Sequence, residues 1–252
     1  MHDFTAVFPE RQGCPGHRRR SRHGPGRRSY PGSSGASVAI NDFYPERARD
    51  AVATLEAEGL KALAVPADVT DYAQVREMVA RVQGELGSLD IYVSNAGVPV
   101  GGMNYGRFVD STPEDWKPFI DLNLYALMHG CHAVLPGMLE QGWGRVIAIT
   151  SESWRAGVPM GIAAYAASKA GVVGLVRQLA AETGRQGVTV NALSLGIMNN
   201  GEGAETMARK STPAGRAGSP EDVGAGVAYL ASEEAGWVTG QVHALNGGGL
   251  MA

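Results

Sequence analysis

The chain has 252 residues, of which 44% are hydrophobic and 19% charged, and its formal net charge is −3. These values are typical of one globular domain of ordinary size. No apolar run approaches the roughly 20 residues of a membrane span, so we expect neither a membrane segment nor a secretory signal. Cys14 and Cys131 lie far apart, which excludes a disulfide framework and a cysteine zinc site. A cytoplasmic location fits these features best.

The first 34 residues differ in composition from the rest. They contain seven arginines and only two acidic residues, whereas the remainder of the chain is acidic. Glycine and proline interrupt this stretch repeatedly, so it shows neither a helical nor a strand period. We therefore divide the chain into an arginine-rich leader at 1–34, expected to be disordered, and a folded domain at 35–252.

From residue 35 onward, short apolar runs alternate with longer helical patterns. Strands are predicted at 37–41, 62–65, 91–94, 145–150, 188–192 and 242–245. Helices are predicted from about residue 45, and at 72–86, 113–141 and 163–183. Strands that alternate with crossover helices predict an α/β fold, a Rossmann-like doubly wound parallel sheet in a single domain. Ligands of such a sheet bind at its carboxyl edge.

Polar and small residues accumulate where the predicted strands end. At these ends lie Asp42, Asp68-Val69, Asn95-Ala96-Gly97 and Ser151, and Tyr165-x-x-x-Lys169 opens the helix after the last of them. Further motifs are Asn123, Gly196-Ile197, Pro220-Glu-Asp-Val223, Thr239-Gly240 and Asn246-Gly-Gly248. Together they resemble the classical short-chain dehydrogenase/reductase family over residues 35–252, and within it the 3-oxoacyl-acyl carrier protein reductases. The YxxxK pattern alone is common by chance, but its combination with the other motifs in this order is specific.

Tyr165 and Lys169 lie one helical turn apart, on one face of their helix. Interconversion of an alcohol and a ketone moves a hydride at carbon and a proton at oxygen, and a positioned side chain must exchange that proton. The pKa of an ordinary tyrosine is about 10, and a nearby ammonium favours the phenolate. We therefore assign Tyr165 as general acid/base and Lys169 as its tuning residue. The alternative is an exposed pair on a surface helix, which the surrounding motifs disfavour.

The resemblance implies two further catalytic residues. A serine hydroxyl can donate a hydrogen bond to the substrate oxygen and stabilise the charge that develops there. Ser151 fits this role by strand register, although it lies fourteen residues before Tyr165 where the family has thirteen, and Ser153 lies twelve before. Asn123 resembles the asparagine of a proton relay through water, or it is a buried structural hydrogen-bonding residue.

The resemblance also implies a dinucleotide site. Asp42 follows a strand where a carboxylate accepts both adenosine ribose hydroxyls and repels a 2'-phosphate, so NAD is expected in preference to NADP. Its alternative role is a helix N-cap or turn residue. Leu195 replaces the family's usual proline beside the nicotinamide. The expected cofactor contacts are Asp42, Asp68 and Val69 at the adenosine, and Asn95, Ala96, Gly97, Tyr165, Lys169, Gly196 and Ile197 farther along.

The family's phosphate site is missing from the leader. The family opens with an apolar strand and a Thr-Gly-x-x-x-Gly-x-Gly turn, whose backbone N–H groups and following helix hold the pyrophosphate. Gly24-Pro25-Gly26 does not match this turn, and Pro25 has no N–H. In the family this strand lies mid-sheet. Without it, the two halves of the sheet have no shared partner.

The codons that encode residues 12–26 allow the missing turn in another reading frame. Read one nucleotide later, they permit K/R-V-A-L-V-T-G-A-x-A-G-M-G-R-A, which restores both strand and turn. The restored threonine would stand at position 17, at the family's spacing from Asp42. We infer a frame-shifted segment that returns to frame near residues 32–35. If the polypeptide carries the residues as printed, we expect weak dinucleotide binding, poor folding and loss of most activity.

Other functions remain open at this stage. The arginine-rich leader could contact nucleic-acid phosphates, but no aromatic stacking platform accompanies it and the body is acidic. A cofactor-independent relative, such as a lyase or halohydrin dehalogenase-like enzyme, would also lack the glycine turn, although such relatives carry arginine in place of Lys169. A catalytically silent subunit on the same fold is a third reading.

Two helices suggest assembly rather than chemistry. His129-x-x-His132 has no third ligand nearby, so packing or interface roles are expected and no metal. The small-residue-rich helix from Ala163 to Ala181 resembles the family's subunit interface and implies a homotetramer or a homodimer. The expected ligands are a small-molecule alcohol or ketone, with a 3-oxoacyl thioester among the candidates, and no nucleic acid or membrane.

Overall fold

The computed structural model describes residues 5–9, 36–103, 105–201 and 203–251. Its strands are β1 (Thr5–Pro9), β2 (Val38–Asn41), β3 (Ala62–Ala64), β4 (Leu89–Ser94), β5 (Gly144–Ser151), β6 (Val188–Leu195) and β7 (Val242–Leu245). They form one sheet in the order β3-β2-β1-β4-β5-β6-β7. The predicted α/β, Rossmann-like fold is confirmed.

Helices cover both faces of this sheet. They are α1 (Pro45–Ala57), α2 (Tyr72–Leu86), α3 (Pro113–Ile120), α4 (Ala126–Gln141), α5 (Ala163–Thr183), α6 (Ala204–Ser211) and α7 (Pro220–Ala231). On one face α2, α4 and α5 pack against Val146 and Ala148 of β5, and on the other α1 and α7 pack with Ile147 and Ile149. Successive side chains of β5 thus point alternately into two hydrophobic cores, one on each face of the sheet, as expected for a central strand. None of the helices in the described ranges is long and apolar enough to cross a membrane.

The central strand β1 runs against the direction of its neighbours. Thr5 pairs with Asn41 of β2 and Ala6 pairs with Val93 of β4, both antiparallel, whereas the other neighbouring strands are parallel. No strand was predicted in residues 1–34, and that prediction is wrong for Thr5–Pro9. The segment contains threonine, valine and phenylalanine, which favour strands, and the inner edges of β2 and β4 need backbone partners. The other leader residues, with Gly24-Pro25-Gly26, lie outside the described residues.

The helix predicted at 113–141 is interrupted. A π-helical turn, Asp121–Tyr125, separates α3 from α4. Pro118 lies within α3 and has no N–H to donate to the preceding turn, which favours a break there. π-turns inside helices are often found at functional sites, and this one contains Asn123.

Candidate active site

An open cleft of about 890 Å³ lies at the carboxyl edge of the sheet. It extends from the end of β2 to the loop after β6, with α5 along one side. Ten of the predicted site residues line it: Asp42, Asp68, Val69, Asn95, Ala96, Gly97, Ser151, Tyr165, Lys169 and Gly196. Asn123 and Ile197 are not among the lining residues. The strand-end residues therefore meet in one place, as expected for a parallel sheet.

Lys169 lies beneath Tyr165 on α5. Its side chain is buried, and Nζ donates a hydrogen bond of 2.9 Å to the carbonyl oxygen of Ile149 on β5. Nζ lies 5.7 Å from the centroid of the Tyr165 ring. On its other side, the Tyr165 ring meets Phe119 edge to face, with 6.2 Å between centroids. The ammonium is thus fixed next to a phenol whose ring is held by apolar packing.

Gly97 brings a third element against this pair. A Cβ atom at Gly97 would lie 2.9 Å from Lys169 Nζ and 3.3 Å from Asn123 Oδ1. The turn after β4 can therefore approach α5 and the π-turn only because residue 97 has no side chain. A substitution at Gly97 would displace the lysine ammonium.

Asn123 combines features of both roles suggested by the sequence. It is 3% exposed, and its Nδ2 donates to the carbonyl oxygen of Phe119 at 3.0 Å, which is a structural contact. Its Oδ1 is buried and has no hydrogen-bond partner among the described residues. A buried amide oxygen without a partner requires an explanation. A water molecule between it and the lysine would satisfy it.

Ser151 and Ser153 differ in their placement. Ser151 ends β5 and lines the cleft, whereas Ser153 does not line it. The backbone N–H of Ser153 donates to Ser151 Oγ at 3.3 Å. A short 3₁₀ turn, Glu152–Trp154, follows Ser151 directly. Strand register and cleft geometry thus favour the same serine.

Asp42 uses only one carboxylate oxygen within the described structure. Oδ1 accepts a hydrogen bond of 2.7 Å from the backbone N–H of Tyr44, while Oδ2 is buried without a partner. The turn role suggested by the sequence is therefore real, but the N-cap of α1 is Tyr44 rather than Asp42. The whole residue is 3% exposed. A buried carboxylate oxygen at a cleft wall suits a ligand that donates hydroxyl groups.

Asp68 and Val69 line the cleft together with Asp42, where the adenosine contacts were expected. Asp68 Oδ1 accepts from the backbone N–H and the hydroxyl of Thr70, at 2.9 and 2.7 Å, which shapes the turn before α2. Val69 is buried. Asn41, which the motif comparison missed, donates from Nδ2 to the carbonyl oxygens of Val65 and Ala67 and holds this turn beside β2.

Arg47 is a second residue that sequence reasoning missed. Its guanidinium lies 4.3 Å above the ring of Tyr44, and the residue lines the same end of the cleft as Asp42. A basic residue five positions after a strand-end acid was the available signal. It places a positive charge near the carboxylate that was expected to repel a 2'-phosphate.

The two histidines of α4 contact α2 and the turn before it. His132 Nδ1 is 2.6 Å from the hydroxyl of Tyr72, and His129 Nδ1 is 3.2 Å from the carbonyl oxygen of Val69. Both rings pack against the ring of Tyr72. The part of the chain that the structure describes contains no group of three metal-ligating side chains. These contacts agree with the packing role.

The adenosine and nicotinamide ends of the cleft suit a dinucleotide, but its middle differs from the family's pattern. Asp42 Oδ2 is a buried acceptor without a partner at one end, and the close approach of Gly97 to Lys169 and Asn123 gathers polar atoms at the other. Because β1 is antiparallel, its first residue, Thr5, lies at the carboxyl edge beside Asn41, while Pro9 lies beside Leu89 at the opposite edge. β1 therefore does not present its carboxyl end at the cleft, where the family's glycine turn would start.

This fold and site define a Rossmann-type oxidoreductase with a tyrosine–lysine centre. A family model described as enoyl-(acyl carrier protein) reductase matches residues 32–249. The chain belongs to the short-chain dehydrogenase/reductase family, whose members bind a nicotinamide dinucleotide, and it is an oxidoreductase for hydroxyl or ketone substrates.

Known proteins similar to the chain agree with this assignment. It is 39% identical to nodulation protein G of Azospirillum brasilense, over 77% of this chain and 79% of that protein. It is 37% identical to acetoacetyl-CoA reductase of Rhizobium meliloti (strain 1021), over 73% and 78% of the two chains. Among solved structures, a gluconate 5-dehydrogenase from Burkholderia cenocepacia J2315 in complex with NADP and tartrate superposes with a TM-score of 0.76, at 29% identity over 83% and 84% of the chains.

Proposed function

We propose that this protein interconverts a secondary alcohol and a ketone with NAD(H), using Tyr165 as the residue that exchanges the proton. The observation that carries this proposal is the buried Lys169 ammonium, 5.7 Å from the Tyr165 ring centroid at the wall of the cleft. A bound nicotinamide would supply or accept the hydride. The chain's own residues then have to orient the substrate and move one proton.

In the reduction direction, the Tyr165 hydroxyl gives its proton to the substrate oxygen. The Lys169 ammonium stabilises the phenolate that remains, because an opposite charge close by favours the ionised form. Ser151 donates a second hydrogen bond to the same oxygen while negative charge develops there. Asn123 Oδ1 would hold the water through which Tyr165 recovers its proton. In oxidation, each of these steps runs in reverse.

The preference for NAD(H) rests on Asp42. Its unpaired Oδ2 is available to accept the ribose hydroxyls, and its charge disfavours a 2'-phosphate. Arg47, at the same end of the cleft, supports the opposite preference, and a relative of known structure is bound to NADP. We favour NAD because Asp42 is buried and has an unsatisfied oxygen, whereas Arg47 already stacks on Tyr44.

For substrate, we favour a 3-oxoacyl thioester, since the chain is similar to an acetoacetyl-CoA reductase. Assembly into a homotetramer or homodimer would use α5, where exposed small residues form a stripe: Ala163, Ala167, Ala170, Gly174 and Ala181. A cytoplasmic location suits the free thiol of Cys131.

The antiparallel β1 favours a second candidate, a family member with impaired dinucleotide binding. β1 ends at the amino edge of the sheet, and β2 starts at the same edge. A pyrophosphate cradle at the carboxyl edge would need the opposite strand direction. Such a protein would retain the catalytic residues but bind the cofactor weakly.

The experiment is reduction of acetoacetyl-CoA by NADH, with Tyr165→Phe compared with Tyr72→Phe. Removal of the catalytic hydroxyl should lower kcat by about 10³-fold, within the range known for lost acid–base catalysis. Tyr72 contacts the two histidines of α4 and does not line the cleft, so its variant should keep nearly full activity. A Tyr165→Phe protein as active as its parent would refute the proposal. A parent without turnover would support the second candidate.

A further inference from the structure

The residues that directly follow β5, β6 and β7 lie side by side, just beyond the proposed catalytic Ser151. Ser151 of β5, Leu195 of β6 and Leu245 of β7 are register partners in the sheet. The residues that follow them are Glu152, Gly196 and Asn246. These three residues therefore follow their strands at the same level of the sheet, and Gly196 among them lines the cleft.

Gly196, the middle residue of this row, has no side chain, and the side chains of Glu152 and Asn246 form a hydrogen bond across it. A Cβ atom at Gly196 would lie 2.7 Å from Asn246 Cα and 2.9 Å from Asn246 Cβ. Asn246 uses this space, and its Nδ2 donates a hydrogen bond of 3.0 Å to Glu152 Oε2. The turn that follows Ser151 at the end of β5 is thus joined directly to the residue that follows β7, two strands away in the sheet.

Two more groups close this contact into a ring. Arg155 donates to Glu152 Oε2 from Nε at 3.1 Å and from Nη2 at 2.7 Å. Both Asn246 Nδ2 and Arg155 Nη2 also donate to the carbonyl oxygen of Leu250, at 2.7 and 3.4 Å. The Glu152 and Arg155 side chains are 13% and 22% exposed, so solvent screens this network only in part.

We propose that Asn246 and Glu152 are positioning residues for the reaction. Their hydrogen bond, supported by Arg155, fixes the 3₁₀ turn that begins at Glu152 and so sets the direction of the Ser151 hydroxyl. It also holds Ser151 in register with Leu195, which lines the cleft on the neighbouring strand together with Gly196. The proposal rests on the proposed function, since it gives this network a role at the same site.

The test begins with amide hydrogen exchange in the full chain, without cofactor or substrate. Asn246→Asp keeps the side-chain size but removes both N–H donors and sets a second carboxylate against Glu152. We expect the peptide covering Ser151–Arg155 to exchange about tenfold faster, because local opening of the turn becomes easier. Gln241→Glu makes the same amide-to-carboxylate change on an exposed residue just before β7, and should leave this peptide unchanged.

Steady-state kinetics distinguish a positioning role of the Asn246–Glu152 hydrogen bond from a role in folding stability alone. In acetoacetyl-CoA reduction, Asn246→Asp should lower kcat about tenfold and leave the KM for NADH within about twofold, since misplaced reacting groups weaken transition-state stabilisation more than binding. The double variant Glu152→Gln/Asn246→Asp restores a donor and an acceptor in reversed order, and Arg155 can pair with the new carboxylate. It should recover most of both losses.

Two outcomes would overturn the proposal: unchanged exchange in Asn246→Asp, or a double variant no better than the single one. Tyr165→Phe distinguishes this from failure of the proposed function, because it should remove turnover without altering exchange in the turn. If that variant stays active while Asn246→Asp loosens the turn, the assignment of Tyr165 is wrong and the network stands.

Discussion

In both the β1 region and the β4–β7 half of the sheet, backbone N–H and C=O groups are paired between neighbouring strands, but the strand directions differ. From β4 to β7 every strand is parallel, and the carboxyl ends of β4, β5 and β6 bring side chains or close turns to the cleft. At β1 both neighbouring strands are also paired, but β1 runs antiparallel to them. Its carboxyl end at Pro9 therefore lies on the side of the sheet away from the cleft.

The comparison shows that a sheet can be completed without completing its site. An antiparallel strand satisfies the N–H and C=O groups of β2 and β4 as well as a parallel one would. A phosphate site has a further requirement, because it needs the turn that follows a strand and the N-terminus of the next helix. Pairing therefore accounts for the fold, while strand direction decides whether the cleft can hold the pyrophosphate.

The largest predicted effect comes from repairing the β1 region. Replacing residues 12–26 by KVALVTGAAAGMGRA, with alanine at the open position, should supply a parallel strand and the glycine turn. We expect the Kd for NADH to fall by about 100-fold, since hydrogen bonds to a charged group contribute about 1.5–3 kcal/mol each. Calorimetry on protein with a mass-verified N-terminus measures this, and a scrambled replacement is the control. Micromolar NADH affinity in the unaltered chain would contradict the expectation.

The second prediction tests whether the adenosine end of the cleft contributes to cofactor binding although β1 is antiparallel. Asp42→Asn removes a buried carboxylate while retaining a hydrogen-bonding group of the same size. We expect kcat/KM to fall about 30-fold with NADH and to change little or rise with NADPH, because the charged acceptor is lost and the repulsion of a phosphate with it. Asp50→Asn on the exposed side of α1 is the matched control. A parent enzyme that prefers NADPH would show that Arg47 decides the choice.

The sequence predicts the β4–β7 half well because its information is local. GRVIAITS has the composition of a buried strand, and the structure places Ser151 at its end. Since parallel strands end at one edge, the residues that follow them meet there without any knowledge of tertiary contacts. Gly97 and Lys169 come together for this reason, although 72 positions separate them in the sequence.

The features that local patterns did not predict depend on pairing between distant segments. Nothing in TAVFP indicates the direction in which it pairs with Asn41 and Val93. The Asn246–Glu152 hydrogen bond becomes visible only when the register of three strands is known. The π-turn at Asn123 has a partial signal in Pro118, but prolines also occur inside regular helices, as Pro136 does in α4.

The smallest effect tests the stability of the β4–β7 half alone. Hydrogen bonds from the Arg216 guanidinium and the backbone N–H of Ser219 hold the pKa of Asp222 well below its usual value. A lowered pKa stabilises the fold above the unfolded-state value near 4, and this stabilisation is lost as the pH falls below it. Asp222→Asn should therefore lower the free energy of unfolding by about 1 kcal/mol at pH 7, a typical capping contribution, and by less at pH 3. Asp110→Asn, in a more exposed ion pair with Arg107, should change nothing measurable in the same denaturation series. A loss for Asp222→Asn that persists undiminished at pH 3 would show that the cap, rather than the charge, stabilises α7.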